Sequence, residues 1–199
     1  MGNNYNTSKK EVNNLEAIEI MVKEHDNIRR MLKVMRKICY NLMTKSDYDL
    51  GDFPKIIDFV RNYADKHHHG KEEDILFTTM NREIEKLAKS GAITGMYIEH
   101  DNGRLYMNNL KTALEEFKKG NDEARLDIIA NAISYTDLLD RHIEKENTAM
   151  YKFAERMLND RVKSTVDAEC RKIEKKAAEM GIQEKYLKLL DELEIKYLK

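Results

Sequence analysis

A single proline stands among 199 residues, and glycine occurs only eight times. Sheets with tight turns draw heavily on both, so a chain this poor in them is expected to be largely helical. The apolar residues agree. Ile18, Met21, Val22, Ile28, Leu32 and Met35 recur at three- and four-residue intervals, the signature of one helix face, over roughly 12–44. SDYDLGDFP supplies turn residues over 46–52, and its proline lies near the start of a second helix, 53–80, with a stripe of Phe53, Ile57, Val60, Ala64, Ile75 and Leu76. The charged segment NREIEKLAKSG reads as a connector. A third helix follows at 92–119 on Ile93, Met96, Tyr97, Met107, Leu110 and Leu114. Gly120, Asn121 and Asp122 then combine a glycine stop with an acidic cap. The fourth helix, 122–158, carries Ile128, Tyr135, Leu138, Leu139, Ala149, Met150 and Phe153 on one side.

Short connectors make neighbouring helices antiparallel, so the expected fold is all-α: an up-down antiparallel four-helix bundle over 15–158. A polar tail (1–14) precedes it. A C-terminal helical appendage (159–199), broken near Gly181 and without histidine, is expected to serve packing or homodimerisation. With 35 basic against 36 acidic residues the chain presents no electrostatic case for nucleic acid. Cys39 and Cys170 lie far apart and form no CxxC pair, which suits a reducing compartment. The start, MGNNYNTSKKEVNN, is too polar for a signal peptide, and Asn6 stands where a myristoylation signal wants Ser or Thr. No apolar run approaches the ~18 residues of a membrane span. A soluble, cytoplasmic protein without a membrane partner is expected.

All six histidines fall in the four bundle helices, and four lie on the apolar stripes. His25 is seven after Ile18 and three before Ile28; His68 is four after Ala64; His100 is four after Met96; His142 is four after Leu138. A lone histidine on such a face is usually a hydrogen-bonded core residue. Here each of four consecutive helices has one, and His68 and His142 each have a glutamate one turn on, Glu72 and Glu146. Burying four imidazoles and two carboxylates without a cation would cost several kcal/mol or more, a cost that a bound metal removes. The pattern is also duplicated. EHDNIR at 24–29 returns as EHDNGR at 99–104, a shift of 75, and His68-x-x-x-Glu72 returns as His142-x-x-x-Glu146, a shift of 74. Two metals, each with two histidines and bridged by both glutamates, satisfy that symmetry. Mixed imidazole and carboxylate ligands suit iron or manganese better than structural zinc.

On these residues, and on HHHGKEEDILF at 67–77, the chain resembles the hemerythrin family, specifically its bacterial His-His-Glu cation-binding domains, over about 15–158. The resemblance implies a di-iron centre, two Fe ions with an oxo or hydroxo bridge, held by His25, His68, Glu72, His100, His142 and Glu146. His25 and His68 would serve one iron, His100 and His142 the other, with both glutamates bridging. His69 and Glu73 share the same spacing but are rotated off the stripe of Ala64 and Ile75, so the pair His68 and Glu72 is favoured. His67 and His69 would then stand behind the ligands or in solvent, and Glu73 would hold a neighbouring imidazole or face water. Oxygen carriers of this family have a further histidine one turn along the third helix; here Arg104 occupies that place, and Arg29 the matching one on the first helix. One coordination position is thereby left open, which resembles the subgroup linked to nitric-oxide stress and iron-centre repair. Those repair proteins carry a short cysteine-bearing N-terminal domain for which this sequence has no counterpart.

The function expected is binding or reduction of dioxygen, hydrogen peroxide or nitric oxide under oxidative or nitrosative stress, as a di-iron peroxidase or a nitric-oxide or oxygen reductase served by an electron donor of unspecified identity. A reversible oxygen or iron sensor or store is the rival, as is an iron donor for damaged iron–sulfur clusters. Cys39 reads as core, Tyr97 as packing beside His100, and the eleven methionines as core filler. Gly70 and Gly103 each cost ~1 kcal/mol in mid-helix relative to alanine, for which close helix approach would account.

Overall fold

The computed structural model describes residues 15–44 and 49–199; the polar tail, the expected beginning of the first helix at 12–14 and the loop residues 45–48 lie outside the described residues. Helix α1 spans Glu16–Thr44. Helix α2, residues 53–83, is continuous but changes pitch. It is α-helical over Phe53–Phe59, π-helical over Val60–His69 and again over Glu72–Phe77, and α-helical over Thr78–Glu83. The expected connector is itself partly helical: α2 extends into it and a short α3 occupies Glu85–Ser90, ended by Gly91 in the left-handed conformation (φ 74°). Helix α4 spans Ala92–Lys118. Helix α5, residues 124–157, is α-helical over Ala124–Lys145, π-helical over Glu146–Met150 and α-helical over Tyr151–Met157. The fold is all-α, with no strand among the described residues.

Two apolar clusters lie either side of the histidines. The larger draws Ile28, Met35, Phe59, Tyr63, Leu110, Ile128 and Leu139 from α1, α2, α4 and α5. The smaller gathers Met21, Phe77, Met80, Ile93, Met96 and Ala154. Each buried aliphatic or aromatic side chain of this kind contributes about 1.5–3 kcal/mol. The histidines therefore sit in mid-bundle with packed apolar layers on both sides, which limits the movement of the helices that carry them.

The last forty residues pack against the bundle. Helix α6 (Asp160–Glu179) is capped by Asn159, whose side chain accepts from Val162 N, and α7 (Ile182–Leu198) follows Gly181 in the left-handed conformation. Asp167 of α6 accepts from Ala17 N, meeting a backbone donor that the first turn of α1 leaves unpaired. Tyr186, Leu190 and Leu193 of α7 join the larger core cluster. Arg30 of α1 pairs with Glu194 and Asp191, and Lys196 and Tyr197 both reach Asp52 at the start of α2. No helix among the described residues is long and apolar enough to cross a membrane.

Candidate metal centre

The four stripe histidines, His25, His68, His100 and His142, are at most 1% exposed, and Glu72 and Glu146 are fully buried. Each histidine is oriented from behind through Nδ1. His68 Nδ1 lies 2.8 Å from Glu24 and His142 Nδ1 2.8 Å from Glu99; His100 Nδ1 lies 2.6 Å from Glu73 and His25 Nδ1 2.8 Å from Asn147 Oδ1. Ionised carboxylates only accept, so these Nδ1 atoms donate, and the neutral ring keeps its lone pair on Nε2. That is the tautomer a metal ligand requires, held by the kind of acceptor that commonly backs one.

The duplication extends to these supports. Glu24 and Glu99 are one pair in the 75-residue repeat; Glu73 and Asn147 are another, offset by 74. Lys71 and Lys145, also 74 apart, bond Glu24 and Glu99 respectively. Arg29 pairs with Asp140 at 2.9 Å, and Arg104 with Asp65 at 2.8 Å. Asp65 matches Asp140 at 75, whereas His68 matches His142 at 74, so one residue between them, His67, has no counterpart. The π-helical stretch Val60–His69 spans that point, with Gly70 N donating five residues back to Asp65 O. The later stretches Glu72–Phe77 and Glu146–Met150 match each other.

The Nε2 atoms converge on the two glutamates. His142 Nε2 lies 2.9 Å from Glu146 Oε1 and His25 Nε2 3.2 Å from Glu146 Oε2. His68 and His100 Nε2 lie 3.7 and 3.5 Å from Glu72 Oε2. Two features show that a cation fits. Glu72 Oε2 and both oxygens of Glu146 are buried without a hydrogen bond, despite the rings beside them. His100 Nε2 and His142 Nε2 face each other at 2.8 Å while both Nδ1 atoms are committed to carboxylates, so two neutral rings set lone pair against lone pair unless a proton or a cation stands between them. The ligand atoms form two buried groups, each within 4.8 Å: His25, His68, Glu72 and Glu146; and His69, Glu72, His100 and His142. Between them they hold all six residues singled out from the sequence, and Glu72 belongs to both.

The charged groups of the site shift one another strongly. Burial, with the charge of Glu146, pushes Glu72 well above the ordinary carboxylate range, and Tyr151 donates to its Oε1 at 2.5 Å. Burial opposes a proton on His100, but Glu146 and Glu73 outweigh it and raise that ring's pKa. Burial and the neighbouring His25 lower His68 to about 4. Burial and the rings of His100, His68 and His142 keep His69 well below the usual range, against the pull of Asp65.

Several expectations change. His67 and His69 are both only 5% exposed, so of the two places expected for them, behind the ligands or in solvent, the solvent is excluded. An α-helix would spread three successive histidines around its surface, whereas the π-helical pitch gathers all three into the interior. His69 stacks on His100 with ring centroids 3.8 Å apart. His67 faces a second buried group: Lys71, fully enclosed, bonds Glu24 and Glu174, and His67 Nε2 lies 2.9 Å from Glu24. Burial works against the charge on Glu24, but His67, His68 and Lys71 hold it well below the ordinary range. Glu174 belongs to α6, so the appendage does carry polar chemistry to the centre's edge. Glu73 holds an imidazole rather than facing water. Tyr97 donates to Glu73 O at 3.3 Å, which supports α2 and not a ligand. At Gly103 a Cβ would come within 3.4 Å of the Tyr135 ring, so close approach explains that glycine; at Gly70 it would meet nothing. Burial raises Cys39 to about 11 and Cys170 to about 12, leaving both as inert core thiols. Tyr151, Glu24, Glu99 and Lys71 were missed, although the repeated Glu-His and Lys-Glu pairs marked three of them.

A cavity of about 530 Å³ opens beside one half of the centre, lined by Asp65, His69, His100, Gly103, Arg104 and Tyr135 among others. No match to a curated protein or to a solved structure was found. The family model of the hemerythrin HHE cation-binding domain matches residues 16–154, a span that contains α1 to α5 nearly whole and every residue of both ligand groups. The chain therefore belongs to the hemerythrin HHE cation-binding family.

Proposed function

We propose that this protein holds two iron ions through His25, His68, Glu72, His100, His142 and Glu146 and uses them to bind or reduce dioxygen, hydrogen peroxide or nitric oxide in the cytoplasm. The observation that carries the reading is the pair of buried ligand groups sharing Glu72, with three carboxylate oxygens lacking any donor. Iron bound there would supply redox chemistry that no side chain of the chain supplies. The protein's own part is positional. Glu24, Glu73, Glu99 and Asn147 fix the four rings, Tyr151 holds Glu72, and Arg104 balances Asp65 and Glu73 at the cavity wall. The cavity, large enough for a diatomic or peroxidic molecule, reaches His100 and favours a reactant arriving from outside. The link from His68 through Glu24 and Lys71 to Glu174 favours a second reading, a sensor whose ligand state is felt by α6 and, through it, by a homodimer partner.

The test is elemental analysis of anaerobically reconstituted protein, followed by exposure of the reduced form to each small molecule. Two irons per chain are expected. Glu72→Ala, which removes a member of both groups, should abolish loading, whereas His25→Ala should spare one metal. One metal per chain, or mainly zinc, defeats the reading. Turnover supports the enzyme, and reversible binding without turnover the sensor.

A further inference from the structure

We infer that the cavity walled by Arg61, Gly103 and Tyr135 is a binding site for a small organic carboxylate with an apolar body. The inference goes beyond the two-metal reading and does not depend on which ion the centre takes. Its first ground is size. A water molecule takes about 30 Å³ in the liquid, so a diatomic reactant fills only a small part of this space. The cavity, at about 530 Å³, lies instead within the range of about 300–1,000 Å³ typical of sites for small organic molecules. Its second ground is how the space arises. In the internal repeat Asp65, Arg104 and Met107 match Asp140, Arg29 and Leu32, each at a shift of 75, and those three counterparts line a cleft of about 230 Å³ with no histidine in its wall. There Ile28, 1% exposed in the core, stands in the place of Gly103. A mid-helix glycine costs stability relative to other helix residues, and the side chain it omits is space gained in the cavity wall.

The polar groups of that wall define the occupant. Tyr135, beside Gly103 and 2% exposed, has a buried hydroxyl with no hydrogen-bond partner. An unpaired buried hydroxyl is costly, and an acceptor on a ligand would satisfy it. The carboxylates of the wall are already committed: Asp58 to Lys185 at 2.9 Å, Asp65 to Arg104 at 2.8 Å, and Glu99 to Lys145. The cations are not. Among the described residues Arg61 donates to the neutral Asn108 Oδ1 at 2.8 Å and to no carboxylate, and Lys66 has no partner. In the counterpart cleft Thr136 replaces Arg61, and the cations there are neutralised locally, Arg36 by Asp137 at 2.7 Å and Arg29 by Asp140 at 2.9 Å. Two uncommitted cations, one of them a guanidinium, suit a carboxylate. Val60, Met107 and Leu139 offer apolar surface to the rest of the molecule.

Isothermal titration of the full chain, as purified, with straight-chain carboxylates from butanoate to decanoate and with octan-1-ol tests this without any catalytic assay. One saturable carboxylate site is expected, with octan-1-ol bound at least about tenfold more weakly than octanoate because it lacks the charge-assisted bonds. Arg61→Thr, which installs the counterpart residue, should weaken octanoate by about tenfold or more. Gly103→Ile, which fills the wall as Ile28 does, should abolish binding. Tyr135→Phe should weaken octanoate about fivefold, yet leave the melting temperature of the ligand-free protein no lower, since the hydroxyl it removes has no partner. Absence of saturable binding across the whole series overturns the inference, as does equal affinity for octan-1-ol. Octanoate affinity unchanged in both Arg61→Thr and Gly103→Ile overturns it too, and is the result for a carboxylate that merely ligates a metal. Should Gly103→Ile fail to fold, Arg61→Thr, at a partly exposed position, decides alone.

Discussion

The two halves of the centre are built from the same parts and differ in what surrounds them. On the His25 and His68 side, Glu24 and Lys71 are buried, closed over by Glu174 of α6, and Tyr151 stacks on His25 at 5.5 Å. On the His100 and His142 side, the matching Glu99 and Lys145 have side chains 23% and 46% exposed, Phe77 replaces Tyr151, and the cavity opens alongside. An identical pair of charges is therefore a sealed network in one half and a surface ion pair in the other. The duplication supplies ligands, and the C-terminal helices supply the asymmetry. A pseudo-symmetric site needs such a difference if one metal is to meet solvent-borne molecules while the other is kept from them.

Removing one lysine from each half tests that contrast most sharply. Lys71→Met leaves Glu24 and the partly exposed Glu174 with only His67 between them and should cost about 3 kcal/mol of unfolding free energy. Lys145→Met removes an ion pair open to water and should cost under about 1 kcal/mol. Chemical denaturation of both variants, metal-free, gives the two values; equal costs would mean the halves are not electrostatically distinct. Tyr151→Phe comes next, since it gives the sealed half the residue of the open half. Glu72 Oε1 then loses its donor, and metal-free protein should be destabilised by about 1–3 kcal/mol. An unchanged melting temperature would show that Glu72 does not depend on the phenol.

The smallest effect concerns the far end of the seal, where α7 meets α2. Lys196, Lys55 and Tyr197 outweigh the cost of burial and lower Asp52 to about 2. A depressed carboxylate stabilises the fold above its unfolded value near 4, and that contribution disappears as pH falls through the folded value. Asp52→Asn should therefore cost about 1–2 kcal/mol at pH 7, discounted for the exposed partners, with the gap to wild type closing between about pH 4 and pH 2. A gap that stays constant with pH would remove the ion pair as its cause.

Much of this arrangement is legible in the sequence. A three- and four-residue rhythm needs only the α-helical period, and it located α1, α2, α4 and α5 to within a few residues. His25, His68, His100 and His142 stand out because each shares that rhythm with apolar neighbours, and all four are buried. The burial of His69 is not readable in this way, because the wheel assumes constant pitch and α2 does not keep one. The repeat marks Lys71 but not its burial, since a lysine on a charged-rich helix ordinarily faces water and only the docking of α6, with Glu174, encloses it. The difference between shifts of 75 and 74 was visible in the sequence, and it is the trace of the residue that broke the wheel.

That extra residue, His67, raises a question of phase. One residue added to an α-helix turns everything beyond it by about 100°, since 3.6 residues complete a turn. Had α2 kept its ordinary pitch past Asp65, either Asp65 would have left Arg104 or Glu72 and Phe77 would have swung away from the positions mirrored by Glu146 and Tyr151. The wide π-helical turns over Val60–His69 absorb the added residue within the helix, so both ends stay in step with their counterparts in α5. The helix thus works as a vernier, gaining a residue without losing alignment at either end.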